Sequence, residues 1–265
     1  MKIDLVLGSG AARGVAHIGV LRELEARGHE PVRIRATSMG AMVGGAWATG
    51  TLDALEAEAR ALRWWTLPRH LSPSFSTRGL VGARGLRRLL DGLWGGTLIE
   101  ELPLPFAAVT SDLATGTTVE LTRGSLTEAV RASTAIPGAF VPQIHRGPGG
   151  RLRHALTDGT LTAPLPVPAK RHPEAEALVV VSVMGPGQEP WARPPRLLRH
   201  LPGITVATFD IMLRTIETQV LAGTPEHVLV SVPPAAGSTL EFHRLGRVIE
   251  AGRAETARAL DAAGL

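Results

Sequence analysis

The sequence predicts an α/β fold, a three-layer α/β/α sandwich around a mostly parallel central sheet. Three observations predict it. The chain opens strand-helix-strand, and each of the two strands ends in a turn of small residues. The second of those turns sets a serine between a strand and a helix. Apolar strand-like runs and helix-like periodicities then alternate toward the C-terminus. Ligands of such sheets bind at the carboxyl ends of the strands, so both turns are candidate site loops.

The first strand is the buried run Ile3 to Leu7, leading directly into Gly8-Ser9-Gly10-Ala11-Ala12-Arg13-Gly14. Val15, Ile18, Val20, Leu21 and Leu24 then recur at helical spacing, and Gly28 ends the helix. Gly8, Gly10 and Gly14 admit three readings. They can cradle a phosphate, as in a dinucleotide fingerprint. They can leave backbone N–H groups free to hold an oxyanion. They can also serve only as a tight turn. The spacing is one residue off the dinucleotide pattern. The next strand also ends in a serine turn where a ribose-binding acid is expected.

That second strand, Val32 to Ala36, runs into Thr37-Ser38-Met39-Gly40-Ala41 and a helix of small residues. Strand, sharp turn with serine, then helix is the layout of a nucleophile elbow. The usual pattern is Gly-x-Ser-x-Gly, and Ala36 stands in the first glycine's place. Alanine cannot take glycine-only backbone angles without cost. Read alone, Thr37-Ser38 is also a plausible helix N-cap.

Thr51 to Trp65 reads as a helix. Trp64 and Trp65 beside Arg63 suit a membrane interface, or the core and an acyl pocket, and the second reading weighs more. His70 to Gly79 reads as a loop able to form part of a lid, and Ala83 to Leu93 as a basic amphipathic helix. Phe106 to Thr110 and Thr117 to Leu121 form a hairpin across Ser111-Asp112-Leu113-Ala114-Thr115-Gly116, whose aspartate is a turn residue. Ser125 and Glu128 make a capping box for the helix up to Arg131. Asp158-Gly159 is a turn after a strand. Ala177 to Val183 and His227 to Val232 are strands, and Ile204 to Leu221 and Leu245 to Leu260 are helices.

Four segments in order resemble the patatin-like phospholipase family, particularly its compact bacterial members. They are Gly8 to Leu21, Ala36 to Ala41, Arg131-Ala132-Ser133-Thr134-Ala135-Ile136-Pro137-Gly138-Ala139-Phe140-Val141-Pro142, and Asp158-Gly159-Thr160. The chain has Ser9 and Ala11 where that family more often has glycine, and Thr160 where it more often has Gly or Ala. The resemblance implies hydrolysis of lipid acyl esters through a Ser38–Asp158 dyad without histidine. Gly10, Ala11 and Met39 would supply oxyanion N–H groups, with Gly8, Arg13 and Gly14 as the supporting loop. Arg13 would organise that loop or meet a substrate phosphate. None of His145, His154, His172 and His200 is fixed as a third member, and His17 reads as a packing or hydrogen-bonding residue. Two other classes stay open: a degenerate member that binds lipid or a partner, and a nucleotide-binding α/β protein.

Composition narrows the classes further. The 265 residues are expected to form a single domain spanning 1–265, since no stretch reads as a linker. Cysteine is absent, which removes disulfides and thiolate metal sites. No acidic or histidine cluster has ligand spacing, so neither metal nor cofactor is expected. The net charge is +4 and the arginines are scattered, which does not suit nucleic acid. No signal peptide or membrane span is expected, which points to the cytoplasm, with peripheral contact at the inner membrane face as a further expectation.

Overall fold

The computed structural model describes residues 1–62, 72–76, 79–82, 84–146, 152–185, 201–224, 226–233 and 245–265. Its ten strands among these are β1 (Lys2–Leu7), β2 (Glu30–Thr37), β3 (Ser72–Ser76), β4 (Gly79–Gly82), β5 (Phe106–Asp112), β6 (Thr117–Leu121), β7 (Gln143–Arg146), β8 (Leu152–Asp158), β9 (Ala177–Ser182) and β10 (Val228–Ser231). The helices are α1 (Ala16–Ala26), α2 (Met39–Ala48), α3 (Leu52–Ala61), α4 (Arg84–Trp94), α5 (Leu126–Ser133), α6 (Leu201–Ala222) and α7 (Leu245–Ala263).

The main sheet runs β10-β9-β1-β2-β5-β8-β7, with β6 also paired to β5. From β10 through β5 every neighbouring pair is parallel, whereas β6, β7 and β8 join antiparallel. Alternation on the pleat sorts the core. Ile3, Leu5 and Leu7 of β1, with Val179 and Val181 of β9, enter the larger cluster, to which α1, α2 and α7 contribute. Val6 and Val180 point to the other face, where Leu165, Val167 and Leu221 of α6 cover them. Both faces of the central strands are therefore buried, as parallel strands require.

Strand order reverses beside β1. The chain goes from β1 to β2 and β5 on one side, then returns to add β9 and β10 on the other. Loops after β1 and β9 diverge there and open a crevice.

One register detail brings Ser38 and Asp158 together. β2 pairs with β5 as far as Thr37 opposite Val109. β8, running the other way, pairs with β5 from Thr110 opposite Asp158. Since β6 occupies β5 over residues 108–112, β2 and β8 must share the other edge and meet end to end. Ser38 follows the last residue of β2, and Asp158 is the last residue of β8. Sequence-distant residues are thereby brought to one junction.

Most predicted elements are present, with ends moved by a few residues. Two expectations change. Ser72–Ser76 is not a loop but pairs antiparallel with Gly79–Gly82, because Ser72 opposite Gly82 and Ser76 opposite Gly79 close a short ribbon. The first helix is preceded by a tight 3-10 turn, Ala11–Val15. Trp64, Trp65 and the rest of the lid segment at 70–71 and 77–78 lie outside the described residues, as does His200.

Candidate active site

Ser38 is held as an elbow nucleophile is held. Its backbone has φ 57 and ψ −124, a left-handed φ that a serine adopts only under constraint. Two neighbours impose it. Gly40 lets α2 begin against β1, since a Cβ there would lie 2.5 Å from the Leu7 carbonyl oxygen. Ser133 at the end of α5 fixes the turn from below. Its hydroxyl accepts the Ser38 N–H at 2.9 Å and donates to the Val109 carbonyl at 2.6 Å. Ala36 is not among the positive-φ residues; it sits inside β2, paired with Leu7 and Ala108. Its departure from glycine therefore carries no backbone cost.

The Ser38 hydroxyl donates to Asp158 Oδ2 at 2.7 Å. The other carboxylate oxygen accepts the Thr160 N–H at 2.9 Å and the Thr160 hydroxyl at 2.5 Å. Asp158 is buried, and desolvation raises its carboxyl to about 6 despite the opposing hydrogen bonds from Thr160 and Ser38. Gly159 makes the placement possible. A Cβ there would sit 2.3 Å from the Val109 oxygen and 3.0 Å from Thr37 Cγ2, inside the junction of β2 and β8.

The glycine loop faces the same place. Gly8 and Ser9 spend their N–H groups on the carbonyls of Val181 and Pro164. The N–H groups of Gly10, Ala11 and Met39 have no backbone acceptor among the described residues. That is the ordinary condition of a helix's first turn. Ala11 is in the left-handed region, φ 45, which turns the chain into the 3-10 segment. His17 Nε2 lies 2.8 Å from the Gly8 carbonyl and donates to it. Burial holds that imidazole down at about 4, so it is neutral near pH 7. This matches the hydrogen-bonding part expected of it.

Ser38, Asp158, Gly10 and Ala11 line one cavity of about 180 Å³, whose remaining walls include Leu161, Met184, Phe209 and Leu213. Met39, Gly8 and Gly14 are not among the described residues lining it. Met39 begins α2 directly after the serine, and Gly14 lies against it: a Cβ on Gly14 would meet Met39 Cβ at 2.4 Å. Arg13 lines the cavity but does not stand free for a phosphate. Its Nη2 donates to Asp210 Oδ1 and contacts Met184 Sδ, each at 3.1 Å. A larger groove of about 460 Å³ lies beside the middle of β2 and the start of β5. Its arginines are engaged, Arg33 with Asp4 and Arg35 with Glu120.

Among the described residues no histidine hydrogen-bonds to Ser38 or Asp158. His154 Nδ1 pairs with Asp112 Oδ2 at 2.9 Å. Asp112 also accepts the N–H groups of Ala155 and Ala114, and these bonds, that of Ala155 foremost, hold its carboxyl well below the usual carboxylate range. It is a structural turn residue. Two residues gain parts that sequence reasoning missed: Ser133, known only as a motif member, and Thr160, read only as a departure. An aspartate in a turn commonly accepts the backbone N–H two residues on, and that signal was available at Asp158-Gly159-Thr160.

Serine in a strained strand-to-helix turn, against a buried aspartate, is accompanied by a sequence match. Residues 5–169 match the family profile described as patatin-like phospholipase. The chain belongs to the patatin-like phospholipase family. An uncharacterized NTE family protein of Mycobacterium tuberculosis is 32% identical, over 98% of this chain and 92% of its own. The neuropathy target esterase sws of Drosophila melanogaster is 28% identical over 69% of this chain, which spans 13% of that protein. Among solved structures, VipD from Legionella pneumophila superposes with a TM-score of 0.56 at 13% identity, covering 98% of this chain and 66% of that one. That likeness supports the patatin-like α/β fold with its mostly parallel sheet. No helix among the described residues is long and apolar enough to cross a membrane.

Proposed function

We propose that this patatin-like chain is a serine hydrolase of lipid acyl esters, working through Ser38 and Asp158. The observation that carries the reading is the 2.7 Å hydrogen bond from the Ser38 hydroxyl to a buried carboxylate, made at an apolar cavity. A serine hydroxyl is a weak nucleophile and needs a base within reach. An ordinary carboxylate is a poor base near neutrality, and burial lifts Asp158 to about 6, closer to the useful range.

The reaction then balances as follows. Ser38 Oγ attacks the ester carbon while its proton passes to Asp158 Oδ2. The carbonyl π pair moves to oxygen, and the N–H groups of Gly10, Ala11 and Met39 hold the oxyanion. Each such donor contributes about 2.7–4 kcal/mol at the transition state. Collapse breaks the ester C–O bond, and the leaving alkoxide takes the proton from Asp158. Water gives its proton to Asp158 and attacks the acyl-enzyme. Its second collapse frees the acid and returns the proton to Ser38. Thr160 keeps Oδ1 occupied so that Oδ2 faces the serine.

The apolar walls suit an acyl chain. The nucleotide alternative is less supported, because Arg13 is committed to Asp210 and the cavity offers no other cation among its described lining. Retention of both dyad members disfavours a degenerate binder. The test is hydrolysis of a soluble short-chain ester by the native chain, Ser38→Ala and Asp158→Asn. Turnover by the native chain alone supports the reading; equal turnover by all three, or none by any, refutes it.

A further inference from the structure

Helix α6 turns its charges toward the protein and leaves an uncharged side outward. A surface helix ordinarily turns its apolar stripe to the core and its charges to water. The only charged residues in Leu201–Ala222 are Asp210, Arg214 and Glu217, at i, i+4 and i+7, and so on one side of the helix. That side faces the protein. Asp210 pairs with Arg13 of the glycine loop, and the buried Glu217 accepts the Ser182 hydroxyl at 2.5 Å. The opposite side carries Ile204, Thr208, Ile211, Met212, Thr215 and Gln219, with no charge. Ile211 is 67% exposed, Met212 53% and Ile204 46%. The hydroxyls of Thr208 and Thr215 donate back to the carbonyls of Ile204 and Ile211 in their own helix.

This outward face continues to the mouth of the cavity. Phe209 is 43% exposed and Ile136 40% exposed, and both also line the cavity over Ser38. We infer that the outward face of α6 is a docking surface for a lipid interface, which it meets so that a chain can pass by Phe209 and Ile136 into the site. The inference rests on the hydrolase reading for its purpose, though not for its geometry. Size argues against a second copy of the chain as occupant. Residues 204–219 make a strip about 22 Å long and about 10 Å wide, roughly 220 Å², against about 800 Å² per partner in a stable protein interface. A lipid surface has no such threshold, since each apolar side chain inserts on its own account.

The experiment uses the full chain with Ser38→Ala, so that binding is read without turnover, and phosphatidylcholine vesicles as the probe. This chain should co-sediment with vesicles, and adding Ile211→Asp with Met212→Asp should weaken binding at least tenfold. In the active background the same pair should leave hydrolysis of a soluble short-chain ester unchanged and reduce hydrolysis of an ester presented in vesicles. That soluble activity also shows that the variant has folded. Equal vesicle binding with and without the pair overturns the inference. So does a native dimer, free of vesicles, that the pair splits into monomers, because the face would then belong to a second copy. Vesicle binding that depends on α6, with no ester hydrolysed in any form, upholds the docking surface and refutes the hydrolase reading instead.

Discussion

Replacing Thr160 with valine isolates the hydroxyl bond that opposes the burial-driven rise at Asp158. Valine keeps the shape and the backbone N–H bond at 2.9 Å, and removes only the hydroxyl bond at 2.5 Å. That hydroxyl donates to the charged form of the carboxylate and so opposes the rise that burial produces. A hydrogen bond to a charged group is worth about 1.5–3 kcal/mol, and 1.36 kcal/mol moves a titration by about one pH unit. The base must be ionised to accept the serine proton, so kcat/KM falls below the Asp158 midpoint. In the native chain the acid limb should therefore lie near 6. In Thr160→Val it should move up by about one to two pH units, with the plateau above it largely retained. The assay is kcat/KM for a soluble short-chain ester from pH 5 to 9. An acid limb that stays in place, or moves down, refutes the reasoning that Asp158 is the base and that Thr160 tunes it.

Asp158→Asn should trade activity for stability. Burial raises the folded carboxyl to about 6 from the 3.8 of an ordinary aspartate, so the folded state binds the extra proton between these values. Stability then falls as pH rises through that window, by roughly 3 kcal/mol in all, and the neutral amide avoids the loss. Urea melts should show the variant more stable at pH 7.5 and level with the native chain near pH 4; equal stability at both pH values contradicts this. Ser133→Ala removes an acceptor for Ser38 N–H and a donor to Val109, leaving two buried groups unmet at about 1–3 kcal/mol each. Melts should register that cost, and kcat should fall more than KM rises. Gly159→Ala drives a Cβ to 2.3 Å from the Val109 oxygen and displaces Asp158. Turnover should drop by about 10²-fold or more, as misplacement by about 1 Å costs; near-native turnover would mean the junction of β2 and β8 is not what positions the dyad.

Local patterns were legible because their physics is local. The strand-turn-helix around Ser38, the glycine loop and the Asp158-Gly159 turn each follow from neighbouring residues. The Ser125 cap was also legible, with its hydroxyl accepting the Glu128 N–H, although the Glu128 carboxylate turns to Arg131 instead of closing the box. What escaped depends on partners far along the chain. Arg13 could be read as a phosphate ligand until Asp210, 197 residues later, was seen beside it. Ser133 tightens an elbow 95 residues away. The end-to-end meeting of β2 and β8 needs the pairing register of β5, which no periodicity encodes. Ala36 was weighed by analogy with glycine, and only its place inside β2 shows that the substitution is free of strain. Helix α6 was legible as a helix but not as one with its charges turned toward the protein, because which side faces the sheet is decided by Arg13 and Ser182.

In the proposed mechanism, burial and the elbow make Ser38 a nucleophile with Asp158 as its base. Labelling by a fluorophosphonate probe, read by intact mass, tests it most directly. One adduct is expected on the native chain, none on Ser38→Ala and greatly slowed labelling of Asp158→Asn. An adduct that persists on Ser38→Ala, or undiminished labelling of Asp158→Asn, would contradict it.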